Sequence, residues 1–224
     1  VLSLLLLATL PLDAPPAARA TPGSVGQLTR GETAHGPLYA WTPASAPRRV
    51  VIYLHGYGHD VDQAVVEHAL IAQLAQSEAT VLIPEAPRGP RSPVAWTELE
   101  PLLVAAEGIL ARPLARDDVV VIGHSGAYRT IRGWLSHPAL TRLVLLDALY
   151  GDTTPFSAWV RADPRHHLHL VSRHTAASAT ELVRRLDATT RALRVTHERS
   201  DDSHMGIVTH GQVIPRVLAR ALAE

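Results

Sequence analysis

Two short stretches carry side chains able to do chemistry together. In "GHSGA", Gly123 to Ala127, a serine stands between small residues directly after the run "VVVI". A Gly-x-Ser-x-small turn joining a strand to a helix strains the serine and exposes its hydroxyl, and it needs small flanking residues because strand and helix backbones approach there. Ser125 is therefore the candidate nucleophile, against the simpler reading of a serine that caps a helix. A serine attacking an acyl carbon requires N–H donors for the oxyanion. Gly126, the next residue, supplies one. The second stretch, "HGYG" at His55 to Gly58, supplies the other, with Tyr57 the first choice and Gly56 the second.

The nucleophile also needs a base and an acid, which in this arrangement follow in the order Ser, acid, His. Among thirteen histidines, His204 in "SDDSHMGIVTH" is best placed, after the last strand-like run and before a terminal helical pattern. His210 falls too late. His166, His167 and His169 lie in or beside a strand and are expected to pack there, while His124 is expected to point away from the hydroxyl and orient the turn. Asp147, ending "RLVLLD", is the preferred acid, with Asp202, Asp201 and Asp152 left open. It would accept the imidazole Nδ1–H and hold the working tautomer; the competing reading is an aspartate that caps the following loop. A phosphate-loop reading of "HGYGHD" fails because position 61 is Val61, and His55, His59, Asp60 and Asp62 match no zinc spacing. No metal and no cofactor are expected.

These residues must be positioned by strands and helices. Candidate strands are "LYAWT" (38–42), "RVVIYL" (49–54), "TVLIP" (80–84), "VVVIG" (119–123), "RLVLLD" (142–147), "HLHLVS" (167–172) and "LRVTHE" (193–198). The continuous apolar runs suit strands covered on both faces. Between them, "VDQAVVEHALIAQLAQS", "WTELEPLLVAAEGILA", "YRTIRGWLSH", "ASATELVRRLDATT" and "GQVIPRVLARALAE" repeat apolar residues at helical steps. The alternation predicts an α/β domain over 37–224, with a mostly parallel central sheet and helices on both faces. Ligands then gather beyond the strands' carboxyl ends, where "HGYGHD", "HSG" and "DALYGD" fall.

Composition narrows the chemistry. The 224 residues fit one domain. With 21 basic and 21 acidic residues and no basic run, the footprint of a nucleic-acid binder is missing, so no nucleic-acid partner is expected. All the basic residues are arginine and cysteine is absent, which excludes lysine Schiff bases, thiolate nucleophiles and disulfides. At the start, "LSLLLLATL" followed by "AARA" reads as a signal peptide over 1–20, cleaved before Thr21. The run is about half of the roughly 20 residues needed to cross a bilayer, so no stable membrane anchor is expected. Val1 and the lack of a preceding basic residue suggest that the N-terminal end lies upstream. Residues 21–36, rich in Gly, Thr and Ser, are expected to form a flexible lead-in.

With Ser125, His204, Asp147, Gly126 and Tyr57 in place, the chain over roughly Val50 to Glu224 resembles the α/β-hydrolase superfamily. In that superfamily the acid commonly follows the penultimate strand, yet "SRHTAAS" there contains no carboxylate; Asp147 matches a variant whose acid comes one strand earlier. "GHSGAYR" and "LLDALYG" look like the same stretches of secreted bacterial members. The resemblance implies a secreted or periplasmic serine hydrolase. The short spacing from Asp147 to Phe156 leaves little or no room for a cap domain, and Tyr57, Trp96, Tyr128, Tyr150, Phe156 and Trp159 are either pocket or core. The leading expectation is hydrolysis of a small-molecule or lipid-like carboxylic ester through an acyl-enzyme. An amidase or peptidase with the same residues, and a noncatalytic binding protein of this fold, are the alternatives.

Overall fold

The computed structural model describes residues 26–75 and 77–223. In chain order its elements are β1 (Gly26–Thr33), β2 (Gly36–Pro43), β3 (Val50–Leu54), α1 (Val61–Glu67), α2 (Leu70–Leu74), β4 (Thr80–Pro84), α3 (Leu99–Leu110), β5 (Val119–His124), α4 (Tyr128–Trp134), β6 (Leu140–Leu146), α5 (Thr154–Ala162), β7 (His167–Ser172), α6 (Ala176–Arg184), α7 (Ala188–Arg194), β8 (Val195–Arg199), α8 (Gly206–Thr209) and α9 (Val213–Ala223). The strands form one sheet in the order β1-β2-β4-β3-β5-β6-β7-β8. Its first two pairings, β1 with β2 and β2 with β4, are antiparallel, and the rest are parallel. The signal peptide expected over 1–20 and the first part of the lead-in lie outside the described residues.

The central strands are apolar throughout because both faces are covered. In β5, Val119 and Val121 join a core with Leu102, Leu103, Trp134 and Phe156, while Val120 and Ile122 face Val61, Leu70, Ile214 and Val217 on the other side. Each such side chain, fully withdrawn from water, contributes roughly 1.5–3 kcal/mol. The period of two thus divides one run of valines between two cores.

Two expectations need correction. Residues 26–36 are not a loose lead-in: β1 runs from Gly26 to Thr33 and pairs along its whole length with β2. "GQLTRGET" carries one large apolar residue, so it shows no hydrophobic alternation; it is an edge strand held by its ladder and by the contact of Gly26 with the Trp41 ring. The helix expected over 61–77 is interrupted. Ala69 adopts a left-handed conformation, φ 47°, between α1 and α2. Such a backbone costs an alanine roughly 1–2 kcal/mol. The break turns His68 fully inward, where Nδ1 meets the Tyr53 hydroxyl at 3.1 Å, and Gln73 Nε2 donates to the freed His68 carbonyl at 2.5 Å.

The strand ends bring the reactive side chains to one edge. Ser125 immediately follows β5, Asp147 immediately follows β6, His55 to Gly58 follow β3, and His204 follows β8. The connection from β6 to α5 spans only 147–153, and no large cap is inserted among the described residues. The helix after Ser125 is seated by a close approach: a Cβ on Gly133 would lie 2.5 Å from the Thr97 carbonyl oxygen, and Trp134 Nε1 donates to the Trp96 carbonyl at 2.9 Å. Gly133→Ala would gain about 1 kcal/mol of helix propensity. Overlap with a backbone atom costs about 1–3 kcal/mol, which outweighs the gain. The expected result is a lower urea midpoint with an unchanged m-value; an equal or higher midpoint would show that α4 is free to shift.

Candidate active site

The turn after β5 is strained where the sequence pattern places the strain. Ser125 has φ 51°, a region that costs a non-glycine residue energy and concentrates at functional sites. The space around it is set by absent side chains. A Cβ on Gly123 would lie 2.3 Å from Ile131 Cδ1 and 3.1 Å from Ala127 Cβ, so Ala127 fits only because its partner is glycine. A Cβ on Gly126 would enter the Tyr57 ring at 2.2 Å, and one on Gly56 would meet Ser125 Cβ at 2.8 Å. The structure therefore packs the loop of Gly56 and Tyr57 directly against Ser125 and Gly126, so that the two expected oxyanion stretches meet at the serine.

Asp147, one strand away, also has a positive φ, 46°, a conformation that aspartate tolerates better than most residues. It is fully buried. Its Oδ1 accepts from the Arg173 and Thr175 N–H groups, both at 2.9 Å, and from Thr175 Oγ1 at 2.8 Å; Oδ2 accepts from His174 N–H at 3.1 Å and from His204 Nδ1 at 2.7 Å. Burial works to raise its pKa. The bonds from His204, Thr175, Arg173 and His174 outweigh it and hold the carboxyl well below the usual range. An ionised carboxylate only accepts, so the neutral His204 carries its proton on Nδ1 and keeps a lone pair on Nε2. Among the described residues no hydrogen bond joins Ser125 Oγ to His204; such contacts commonly tighten when substrate binds.

The other acids considered for this place are engaged elsewhere. Asp202 meets His210 Nδ1 at 2.9 Å, Asp152 accepts from Thr154 N–H at 2.9 Å, and Asp201 is exposed. Of the remaining histidines, His169 bonds Glu198 at 3.0 Å and His166 stacks on Trp159. His167 lies on β7. In "HGYGHD", His55 accepts from Ala86 N–H through Nε2 at 3.0 Å and donates from Nδ1 to the Gly56 carbonyl at 2.8 Å. His59 bonds Glu67, Asp60 caps α1 and Asp62 pairs with Arg30.

One contributor was not foreseen, the loop after β7, and it is joined by Tyr150, expected as pocket or core, and by His124, expected to orient the turn. The loop after β7 holds no carboxylate, but its consecutive N–H groups at Arg173, His174 and Thr175 enclose the carboxylate of the neighbouring strand. Tyr150 is half-buried at the same edge; burial and Asp147 push its phenol up, and hydrogen bonding with the Ser125 side chain pulls against them. Tyr128 lies 6.0 Å from it, ring to ring, whereas Trp96, Phe156 and Trp159 belong to the core. Behind the serine, His124 Nε2 donates to the His204 carbonyl at 3.1 Å, which anchors the histidine loop to the elbow. Burial, with His204 and His68 nearby, pushes His124 down to about 3; burial and the neighbouring His59 and His55 push His68 down to about 4. A cavity of about 480 Å³ opens at the strands' other end, lined by Arg48, Arg49, Gln73 and Glu78 among others, away from this constellation.

No protein-family profile matches the sequence, and no curated protein matches it. Solved structures do. FphF, a fluorophosphonate-binding serine hydrolase of Staphylococcus aureus, aligns at 14% identity over 89% of this chain and 99% of its own, with a TM-score of 0.62. An S-formylglutathione hydrolase from Agrobacterium tumefaciens aligns at 13% identity over 92% and 98%, TM-score 0.60. An esterase from Pyrobaculum calidifontis aligns at 14% identity over 93% and 86%, TM-score 0.56. The eight-stranded, mostly parallel sheet and these likenesses give the chain the α/β-hydrolase fold. Among the described residues no helix is long and apolar enough to cross a membrane.

Two of the buried histidines, His124 and His68, make a prediction about stability. Their folded pKa values lie below the ordinary 6.5, so between those values the unfolded chain binds protons that the folded chain does not. Their contribution is complete above about pH 6.5 and is lost as pH falls toward 4 and then 3, at about 1.4 kcal/mol per pH unit for each histidine. Urea unfolding at a series of pH values from 7 to 5 should show this slope, and His68→Leu should make it shallower by about 1.4 kcal/mol per pH unit, one histidine's share. An unchanged slope in the variant would assign the acid sensitivity to other groups.

Proposed function

We propose that this protein is a serine hydrolase that cleaves carboxylic esters through an acyl-enzyme. The observation that carries the reading is a serine in a strained strand-to-helix turn, at the same sheet edge as a histidine bonded at 2.7 Å to a buried, ionised aspartate. Ser125 Oγ attacks the ester carbonyl carbon while His204 Nε2 takes its proton. The Gly126 and Tyr57 N–H groups receive the developing oxyanion, with Gly56 N–H the second choice for the latter place. Collapse breaks the bond to the alcohol, which leaves with the proton from His204, and water then releases the acid by the same sequence. Asp147 keeps the imidazole in the tautomer that accepts. The solved relatives described as serine hydrolases and esterases support the reaction class. Tyr57, Tyr128 and Tyr150, half-buried around the serine, favour a small-molecule or lipid-like acyl group over a polar one. Export to the periplasm or beyond belongs to the same proposal, supported by the apolar run and "AARA" near the start.

The test is labelling with a fluorophosphonate probe, followed by peptide mapping and matched ester and amide substrates. Stoichiometric modification at Ser125, absent in Ser125→Ala, is expected, with esters turned over faster than amides. Asp147→Asn should lower kcat by roughly 10⁴-fold, as expected for loss of the productive tautomer. A folded protein that neither labels nor turns over any substrate would make it a binding protein of this fold; turnover of amides alone would make it an amidase.

A further inference from the structure

The carboxylate of Asp147 is faced by two imidazoles. His204 Nδ1 lies 2.7 Å from Oδ2, and His174 Nδ1 lies 3.9 Å from the same oxygen. The two rings stack nearly parallel, centroids 5.3 Å apart and planes 13° apart. The ligand atoms of Asp147, His174 and His204 all fall within 4.8 Å of one another. Asp147 is buried and fixed by the backbone of 173–175, whereas the His174 side chain is 63% exposed and stands at the solvent side of the pair. The exposed His174 ring thus offers a cation its first contact, beside a carboxylate that is itself fully buried.

We propose that Asp147, His174 and His204 form an inhibitory site for a borderline divalent cation, of which Zn²⁺ is the representative. Two imidazoles and one carboxylate are a common zinc donor set, with bonds of about 2.0–2.2 Å and a fourth position left for water. Closing the site requires the His174 ring to approach Asp147 Oδ2 from 3.9 Å and His204 Nδ1 to draw back from 2.7 Å, because two donors on one tetrahedral ion lie at a separation between these. The proton accounting gives the consequence. Neutral His204 carries one proton, on Nδ1; when the cation takes the Nδ1 lone pair, that proton is relocated through solvent to Nε2. No charge is lost from the ring, but the nitrogen that would accept the Ser125 proton now carries one. The cation therefore switches the base off without touching the serine, and its removal restores the base.

Binding does not depend on the hydrolase reading, although inhibition does, so the two are measured separately. Zn²⁺ is titrated calorimetrically into the Ser125→Ala protein and into the Ser125→Ala/His174→Ala double variant. One saturable site is expected in the first, with affinity at least about tenfold weaker in the second, since even outer-sphere partners of a zinc site commonly carry that much. His210→Ala, which removes an exposed histidine paired with Asp202, should leave the affinity unchanged. In the active protein, Zn²⁺ should slow fluorophosphonate labelling and EDTA should restore it. Measured against its own Zn²⁺-free labelling rate, His174→Ala should require at least about tenfold more Zn²⁺ for the same slowing. Equal affinity with and without His174, or no saturable binding, overturns the proposal. A protein that binds Zn²⁺ through His174 yet never labels keeps the metal site and refutes the hydrolase reading instead.

Discussion

A negative charge buried at the end of β6 organises this edge of the molecule. Removing an ionised carboxylate from water is expensive unless every lone pair finds a donor. Asp147 finds three backbone N–H groups, a threonine hydroxyl and an imidazole. To supply them, the loop after β7 must wrap round the carboxylate and the loop after β8 must deliver His204. The same charge dictates which nitrogen of His204 carries the proton. Its electrostatics and the geometry of two loops are one constraint.

The second constraint is clearance. Ser125 can occupy its strained turn only because Gly56, Gly123 and Gly126 leave room for Ser125, Ile131 and the Tyr57 ring. Those contacts bind β3, β5 and α4 into a unit, so the proposed oxyanion donors and the serine share one rigid support. Positioned groups need little reorganisation when charge develops, which is where such sites gain most of their effect. Close packing also shapes the neighbourhood behind the serine. His124 and His68 are held neutral by burial, and His124 spends its one N–H on the His204 carbonyl. In the proposed reaction, a charged imidazole there would oppose the cation that proton transfer would form on His204.

Much was legible because it is local. The apolar runs of β3 to β7 announce strands buried on both faces, and the Gly-His-Ser-Gly-Ala turn announces a strained serine, since both signals lie within a few consecutive residues. β1 was missed because an exposed edge strand needs no hydrophobic alternation; its partner's backbone holds it. The helix expected over 61–77 breaks at Ala69, where His68 turns in to bond Tyr53, a contact that helical periodicity does not encode.

By itself, the sequence determined the α/β alternation, the candidate serine, histidine and aspartate, and the exclusion of thiolate and lysine chemistry, because residue type and short-range pattern decide these. Only the tertiary structure decided which aspartate meets His204, for the choice among Asp147, Asp152, Asp201 and Asp202 rests on which strand ends lie side by side. It also decided that the loop after β7 would contribute N–H groups instead of an acid, and that His174 would stand beside the pair. Those relations join residues 26 to 57 positions apart. They exist only once parallel pairing has set β6 between β5 and β7.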